Sequence, residues 1–145
     1  MSVPSEPLEC TFAIRAQPET VWTFWTDPVR LCEWWGLEAE AVPEPGGRFR
    51  VVMDQEDAVM SGEYLELDPP RRLVFTFGWE HPPPSGPLLP GSTRVEVELI
   101  PDGDGTRLVL RHFGLPATAT AEHRAGWNHF VGDRLVAVFE ASGQV

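Results

Sequence analysis

Between Leu8 and Arg15 apolar and polar side chains alternate, with Leu8, Cys10, Phe12 and Ile14 on one side and Glu9, Thr11 and Arg15 on the other. A period of two is that of a half-buried strand. Pro18 then suits the first turn of a helix that runs to about Thr26 and carries Val21, Trp22, Phe24 and Trp25. Asp27-Pro28 ends it and caps a second short helix, Val29 to Trp34. From Glu38 the pattern turns to strands. Pro45-Gly46-Gly47 marks a turn before Arg48 to Met53, where Phe49, Val51 and Met53 share a side, and Asp54 to Asp57 makes the next turn. Val59 to Leu67 is another strand, ended by Asp68-Pro69-Pro70. Arg72 to Trp79 is the clearest, with Leu73, Phe75, Phe77 and Trp79 on one face and Val74, Thr76 and Gly78 opposite. Thr93 to Ile100 carries Val95, Val97 and Leu99 inward and Glu96 and Glu98 outward. A hairpin turn, Pro101-Asp102-Gly103-Asp104-Gly105, joins it to Arg107 to Phe113, with Leu108, Leu110 and His112 on one face.

Gly114-Leu115-Pro116 leads out of that last strand into the longest predicted helix, about Thr118 to Glu140. Its apolar positions Trp127, Val131, Leu135 and Val138, flanked by Phe130 and Phe139, form one buried stripe. Gly132 sits at its centre, and Glu122, Arg124, Asp133 and Glu140 are free to stay in water. No other stretch offers a helix of this length, so its stripe must pack against one large sheet. Hairpin-length links make that sheet antiparallel and sequential. The expectation is an α+β fold, a single domain over residues 1–145, with about six to seven strands, two short helices after the first strand and a long C-terminal helix. The segment His81 to Gly91, rich in proline, is read as a long exposed hairpin loop, with a lid over one end of the sheet as the alternative.

Composition narrows the function classes. At 145 residues the chain can bury a full core without disulfide or metal staples. Cys10 and Cys32 have no metal-ligand spacing, and MSVPSEPLE has neither the basic start nor the apolar run of a signal peptide. A reduced, cytoplasmic setting and no membrane insertion are expected. The net charge of −11 argues against nucleic acid and anionic membranes as partners. The basic residues are eleven arginines and no lysine, a bias that fits a GC-rich bacterial genome and excludes a lysine Schiff base.

Several stretches resemble a known family. Pro18-Glu19-Thr20-Val21-Trp22, Leu31-Cys32-Glu33-Trp34-Trp35 and Pro45-Gly46-Gly47-Arg48-Phe49-Arg50 are three of them. Gly62 to Thr76, Thr106 to Leu115 and the Gly126-Trp127 pair in the last helix complete the set. On these motifs the chain resembles the START-like (SRPBCC) superfamily and, within it, the heat-shock-protein ATPase activator C-terminal-domain-like family, which also holds enediyne self-resistance proteins. The resemblance implies the helix-grip fold, a curved antiparallel sheet closing around the C-terminal helix with a cavity between them.

The inward-facing sets supply that cavity with Phe49, Met53, Phe75, Phe77, Trp79, Val97, Leu110, Trp127 and Val131, and the short helices add Trp25, Trp34 and Trp35. A filled aromatic core is the plainer reading of the same residues. His112 is in phase with Leu108 and Leu110, and is either a core histidine held by hydrogen bonds or a ligand or acid–base group. Glu63 faces the cavity if it follows Leu65 and Leu67, whereas the alternative phase puts Tyr64 inside. Arg50 should face out and pair with a neighbouring acid. His123 and His129 fall on opposite sides of the helix, so no shared metal is expected, and no cofactor either. No nucleophile elbow, phosphate-binding glycine loop or zinc constellation is present, so enzymatic activity stays open. The expected function is binding of a hydrophobic or amphipathic small molecule. The alternatives are a chaperone-associated interaction module and a weak cyclase or hydrolase.

Overall fold

The computed structural model describes residues 7–53, 58–81 and 88–142. The predicted turn at Asp54 to Asp57 and most of the proline-rich segment, residues 82–87, lie outside the described residues. Seven strands form one antiparallel sheet: β1 (Leu8–Ile14), β2 (Glu38–Ala41), β3 (Arg48–Val52), β4 (Val59–Asp68), β5 (Arg72–Phe77), β6 (Thr93–Asp102) and β7 (Gly105–Phe113). Their spatial order is β1-β7-β6-β5-β4-β3-β2. All links from β2 to β7 are therefore between neighbours, and only β1 crosses to the far edge, where Cys10 pairs with Leu110. Two short helices, α1 (Pro18–Thr26) and α2 (Pro28–Leu31), follow β1. A continuous helical run closes the chain: α3 (Ala117–Trp127), a π-helical segment (Asn128–Leu135) and α4 (Val136–Ser142). This is the element order that the pattern predicts and the α+β helix-grip arrangement that the resemblance implies. No helix among the described residues is long and apolar enough to cross a membrane.

Several details differ from the expectation for physical reasons. The long helix widens into a π turn where Gly132, which has no side chain, lies under the Phe12 ring of β1, so that a Cβ there would stand 3.1 Å from the ring. The wider turn keeps residues four apart in line. The stripe accordingly runs Trp127, Val131, Leu135 and Phe139, all buried, and Val138 is only partly covered. The second helix is shorter than predicted. Asp27 caps it by accepting from the Val29 N–H at 2.9 Å, and after Leu31 the chain continues in turns that carry Trp34 and Trp35 inward. β5 ends at Phe77, and Trp79 makes an isolated bridge to Met60.

The outer face of the sheet is less plainly polar than alternation suggests. Val74 and Val109 point outward yet are buried. In the ladder Val74 lies between Glu66 and Glu96, and Arg72 pairs with both of these carboxylates, at 2.6 and 3.4 Å. Arg111 similarly joins Glu9 and Glu98 beside Val109. The arginine stems and their ion pairs roof over the two valines, as long charged side chains do on apolar surface. Arg50 faces out as expected and grips Glu80 with two hydrogen bonds, at 2.7 and 3.1 Å. That contact holds the Glu80 carboxyl below its ordinary range.

Candidate functional site

Trp25 from α1, Trp34 and Trp35 from the turns after α2, Phe49 from β3, Phe75 from β5 and Trp127 at the end of α3 meet in one aromatic cluster, none more than 3% exposed. The ring of Trp25 lies 4.8 Å from Trp34, 6.0 Å from Trp35, 6.2 Å from Phe75 and 6.4 Å from Trp127. Trp35 stacks on Trp34 at 5.2 Å and touches Trp127 at 5.4 Å. Tilted and edge-on packing of this kind suits ring quadrupoles. It ties the two short helices to the sheet and to the C-terminal helix at one place.

Two polar groups at the cluster are bound to backbone. The Trp34 indole N–H donates to the Phe24 carbonyl at 2.9 Å, and the Tyr64 hydroxyl donates to the Trp25 carbonyl at 2.8 Å. Tyr64 is fully buried and stacked on Phe49 at 4.7 Å, and burial pushes its phenol pKa well up. Glu63, expected among the cavity residues, is exposed. The pairing of β4 with β5 shifts between Tyr64 and Glu66, which breaks the phase Glu63 would need to follow Leu65 and Leu67. A phenol with a backbone acceptor is also far cheaper to bury than an unpaired carboxylate. Of the other residues predicted for the cavity, Met53, Phe77, Val97, Leu110 and Val131 are buried and Trp79 is half-buried.

A second group lies beside the first, across Trp127. Phe77 packs against the His112 ring at 4.7 Å and the Trp127 ring at 5.6 Å, and the His112 and His123 rings stand 5.6 Å apart, edge to face. Indole can only donate, so the Trp127 N–H at 3.1 Å makes Nδ1 of His112 the bare acceptor. Nε2 of His112 then carries the proton and donates to Thr93 Oγ1 at 2.8 Å, which in turn donates to the Phe77 carbonyl at 2.6 Å. The Trp79 N–H likewise donates to Nε2 of His123 at 3.1 Å, and Nδ1–H of His123 donates to the Ala119 carbonyl at 2.8 Å. His112 is therefore neutral, and every nitrogen of the two rings is engaged. Burial, reinforced by the neighbouring His123, lowers the His112 pKa to about 3.

Sequence reasoning missed Thr93 and His123 as members of this network. The signals were present. Thr93 is in phase with Val95 and Val97 on β6, and His123 is one helical turn before Trp127. Among the described residues, no three or more His, Cys, Asp or Glu side chains converge as a metal site would require. Cys10 is buried with its thiol pKa raised by desolvation, the opposite of an activated nucleophile.

Comparison with known proteins follows the same lines. The family model for "Activator of Hsp90 ATPase homolog 1-like protein" matches residues 15–140. A solution structure of an AHSA1-like protein from Rhizobium etli is 37% identical over 94% of this chain and 83% of its own, with a TM-score of 0.69. CalU16 from Micromonospora echinospora is 29% identical, with a TM-score of 0.68, over 86% of this chain and 70% of that one. DynU16, from the dynemicin biosynthetic locus, is 27% identical with a TM-score of 0.77. The match covers 96% of this chain but spans about half of DynU16, 49%. No curated protein matches.

Proposed function

The chain belongs to the activator of Hsp90 ATPase homolog 1-like family, and on that footing we propose that it binds a small apolar or amphipathic molecule between the sheet and the C-terminal helix. The observation that carries this reading is the aromatic cluster of Trp25, Trp34, Trp35, Phe49, Phe75 and Trp127, which gathers large flat rings from five parts of the chain at one place. Ligand sites are made mostly of such apolar and aromatic side chains with few polar groups. Met53, Phe77, Val97, Leu110 and Val131 extend the lining, with Trp79 at its edge. Trp25, Trp34 and Trp35 are at most 1% exposed, so a ligand reaches them only if the α1–α2 corner swings away. That corner carries the four-residue α2 with Val29 in solvent, but buried Leu31, Trp25 and Trp34 and the Trp34–Phe24 and Tyr64–Trp25 hydrogen bonds hold it to the core, so ligand contacts must offset the cost of opening it.

His112 belongs to this reading as the floor of the site. With both nitrogens bound to protein it has none to offer a ligand, and it fixes the Trp127 ring instead. A thermal-shift screen with flat apolar compounds tests the proposal. A bound ligand at one hundred times its Kd should add about 2.7 kcal/mol and raise Tm. No shift with any member of a broad panel would overturn it.

The family's own description favours a second reading, a surface interaction with a chaperone of the Hsp90 type. Stimulation of such a chaperone's ATPase by this chain, unchanged when the aromatic cluster is altered, would establish that role in place of ligand binding.

A further inference from the structure

Three indole N–H groups around the core have protein acceptors: Trp34 on the Phe24 carbonyl, Trp79 on His123 and Trp127 on His112. Trp25 does not. Its Nε1 is buried without a hydrogen-bond partner among the described residues, and its side chain is 0% exposed. A buried donor left unpaired carries its full desolvation penalty, and a native core retains one only for a reason. Here that donor stands amid the rings of Trp34, Trp35, Phe75 and Trp127, at the centre of the proposed binding cluster.

We infer that the Trp25 indole N–H is the polar anchor of the site, and that it selects a flat, neutral ligand bearing a hydrogen-bond-acceptor oxygen such as a ketone or quinone carbonyl. Neutrality follows from the surroundings. The buried polar side chains among the described residues are Thr93, Thr106, His112 and His123, with no carboxylate or guanidinium among them to balance a charged ligand. An acceptor is required because indole nitrogen only donates. Flatness follows from the rings, whose stacked and tilted faces suit a plane inserted between them once the α1–α2 corner opens.

The inference rests on the small-molecule reading above, so its test separates the two. Fluorene and 9-fluorenone share one planar tricyclic frame and differ at a single carbon, which bears a carbonyl in the second. Each is titrated into the ¹⁵N-labelled full chain, following all the indole N–H resonances, with that of Trp25 assigned through contacts to Trp34 and Tyr64. Fluorenone should bind about 5-fold more tightly, the worth of one buried hydrogen bond. It should also move the Trp25 N–H signal downfield, whereas fluorene perturbs ring signals and leaves that proton unbonded. In a Trp25→Phe chain the preference for fluorenone over fluorene should vanish, whatever the change in affinity for the shared frame. If that variant does not fold, the wild-type resonance decides alone. Equal affinities with an unmoved Trp25 signal would overturn the anchor and leave ligand binding standing. Perturbation of no core ring by either compound would overturn the anchor for this frame, and the screen above then judges the wider reading.

Discussion

Protonation of His112 would turn the acceptor of the Trp127 indole N–H into a second donor. The folded protein resists this, so the His112 pKa drops to about 3, mainly through burial and then through His123, the titratable group facing it. In the unfolded chain the same ring titrates near the ordinary value of about 6.5. Above pH 6.5 both states are neutral there and the full stability is present. As pH falls, the unfolded state takes up a proton that the folded state refuses, so stability is lost between about 6.5 and 3. The loss should approach about 1.4 kcal/mol per pH unit below the midpoint. His112→Gln keeps polar atoms at the site but cannot titrate. Denaturant melts of both chains between pH 7.5 and 4.5 should show the steeper decline in wild type. Parallel declines would mean that His112 already carries a proton in the fold. His112 was legible because it stood in a strand whose alternation is clean, whereas His123, although in phase with Trp127, takes its hydrogen-bond partner from Trp79, beyond the end of β5.

At the level of elements, strand alternation and the helical stripe were enough to predict the order of elements and the antiparallel sheet. What they could not show were the places where one element makes room for another. β2 was signalled only by a change of pattern, because its alternation of glutamate and alanine is that of an edge strand with little to bury. The Tyr64 phase was ambiguous because the β4–β5 pairing shifts beside it. The π turn at Asn128–Leu135 answers a contact from β1 that no local pattern encodes. Gly62 illustrates the same limit and supports a prediction. It pairs with Phe49 of the aromatic cluster, and a Cβ there would collide with the Thr76 carbonyl on β5. A backbone oxygen on a central strand cannot step aside as a side chain would. Gly62→Ala should therefore destabilise the chain by about 3 kcal/mol, as overpacking does. It should also disturb the Phe49–Tyr64 stack, visible as altered near-ultraviolet circular dichroism. A change below about 0.5 kcal/mol, the scale of a surface substitution, would show that β4 and β5 can part at this point.

The whole molecule carries its charge in two distinct ways. The inner side is uncharged among the described residues, with its polar groups paired as neutral hydrogen bonds except for the Trp25 donor. The outer surface holds a net charge of −11, and its arginines are largely committed: Arg30, Arg48, Arg50, Arg71, Arg72, Arg94 and Arg111 all sit in ion pairs with glutamate or aspartate. Each exposed pair contributes little to stability. Together they prevent the arginines from forming a free cationic face, and the acid excess dominates the field at distances beyond the first shell of water. A polyphosphate approaching at about 0.15 M salt, where charges are screened beyond roughly 8 Å, meets repulsion from the acid excess. Retardation of a DNA duplex and co-sedimentation with phosphatidylserine vesicles should both be undetectable at that salt. Lowering the salt should strengthen the exclusion, since unscreened repulsion grows. Binding that instead strengthens as salt is removed would require a cluster of uncommitted arginines and would redirect the search for a partner from the aromatic core to the surface.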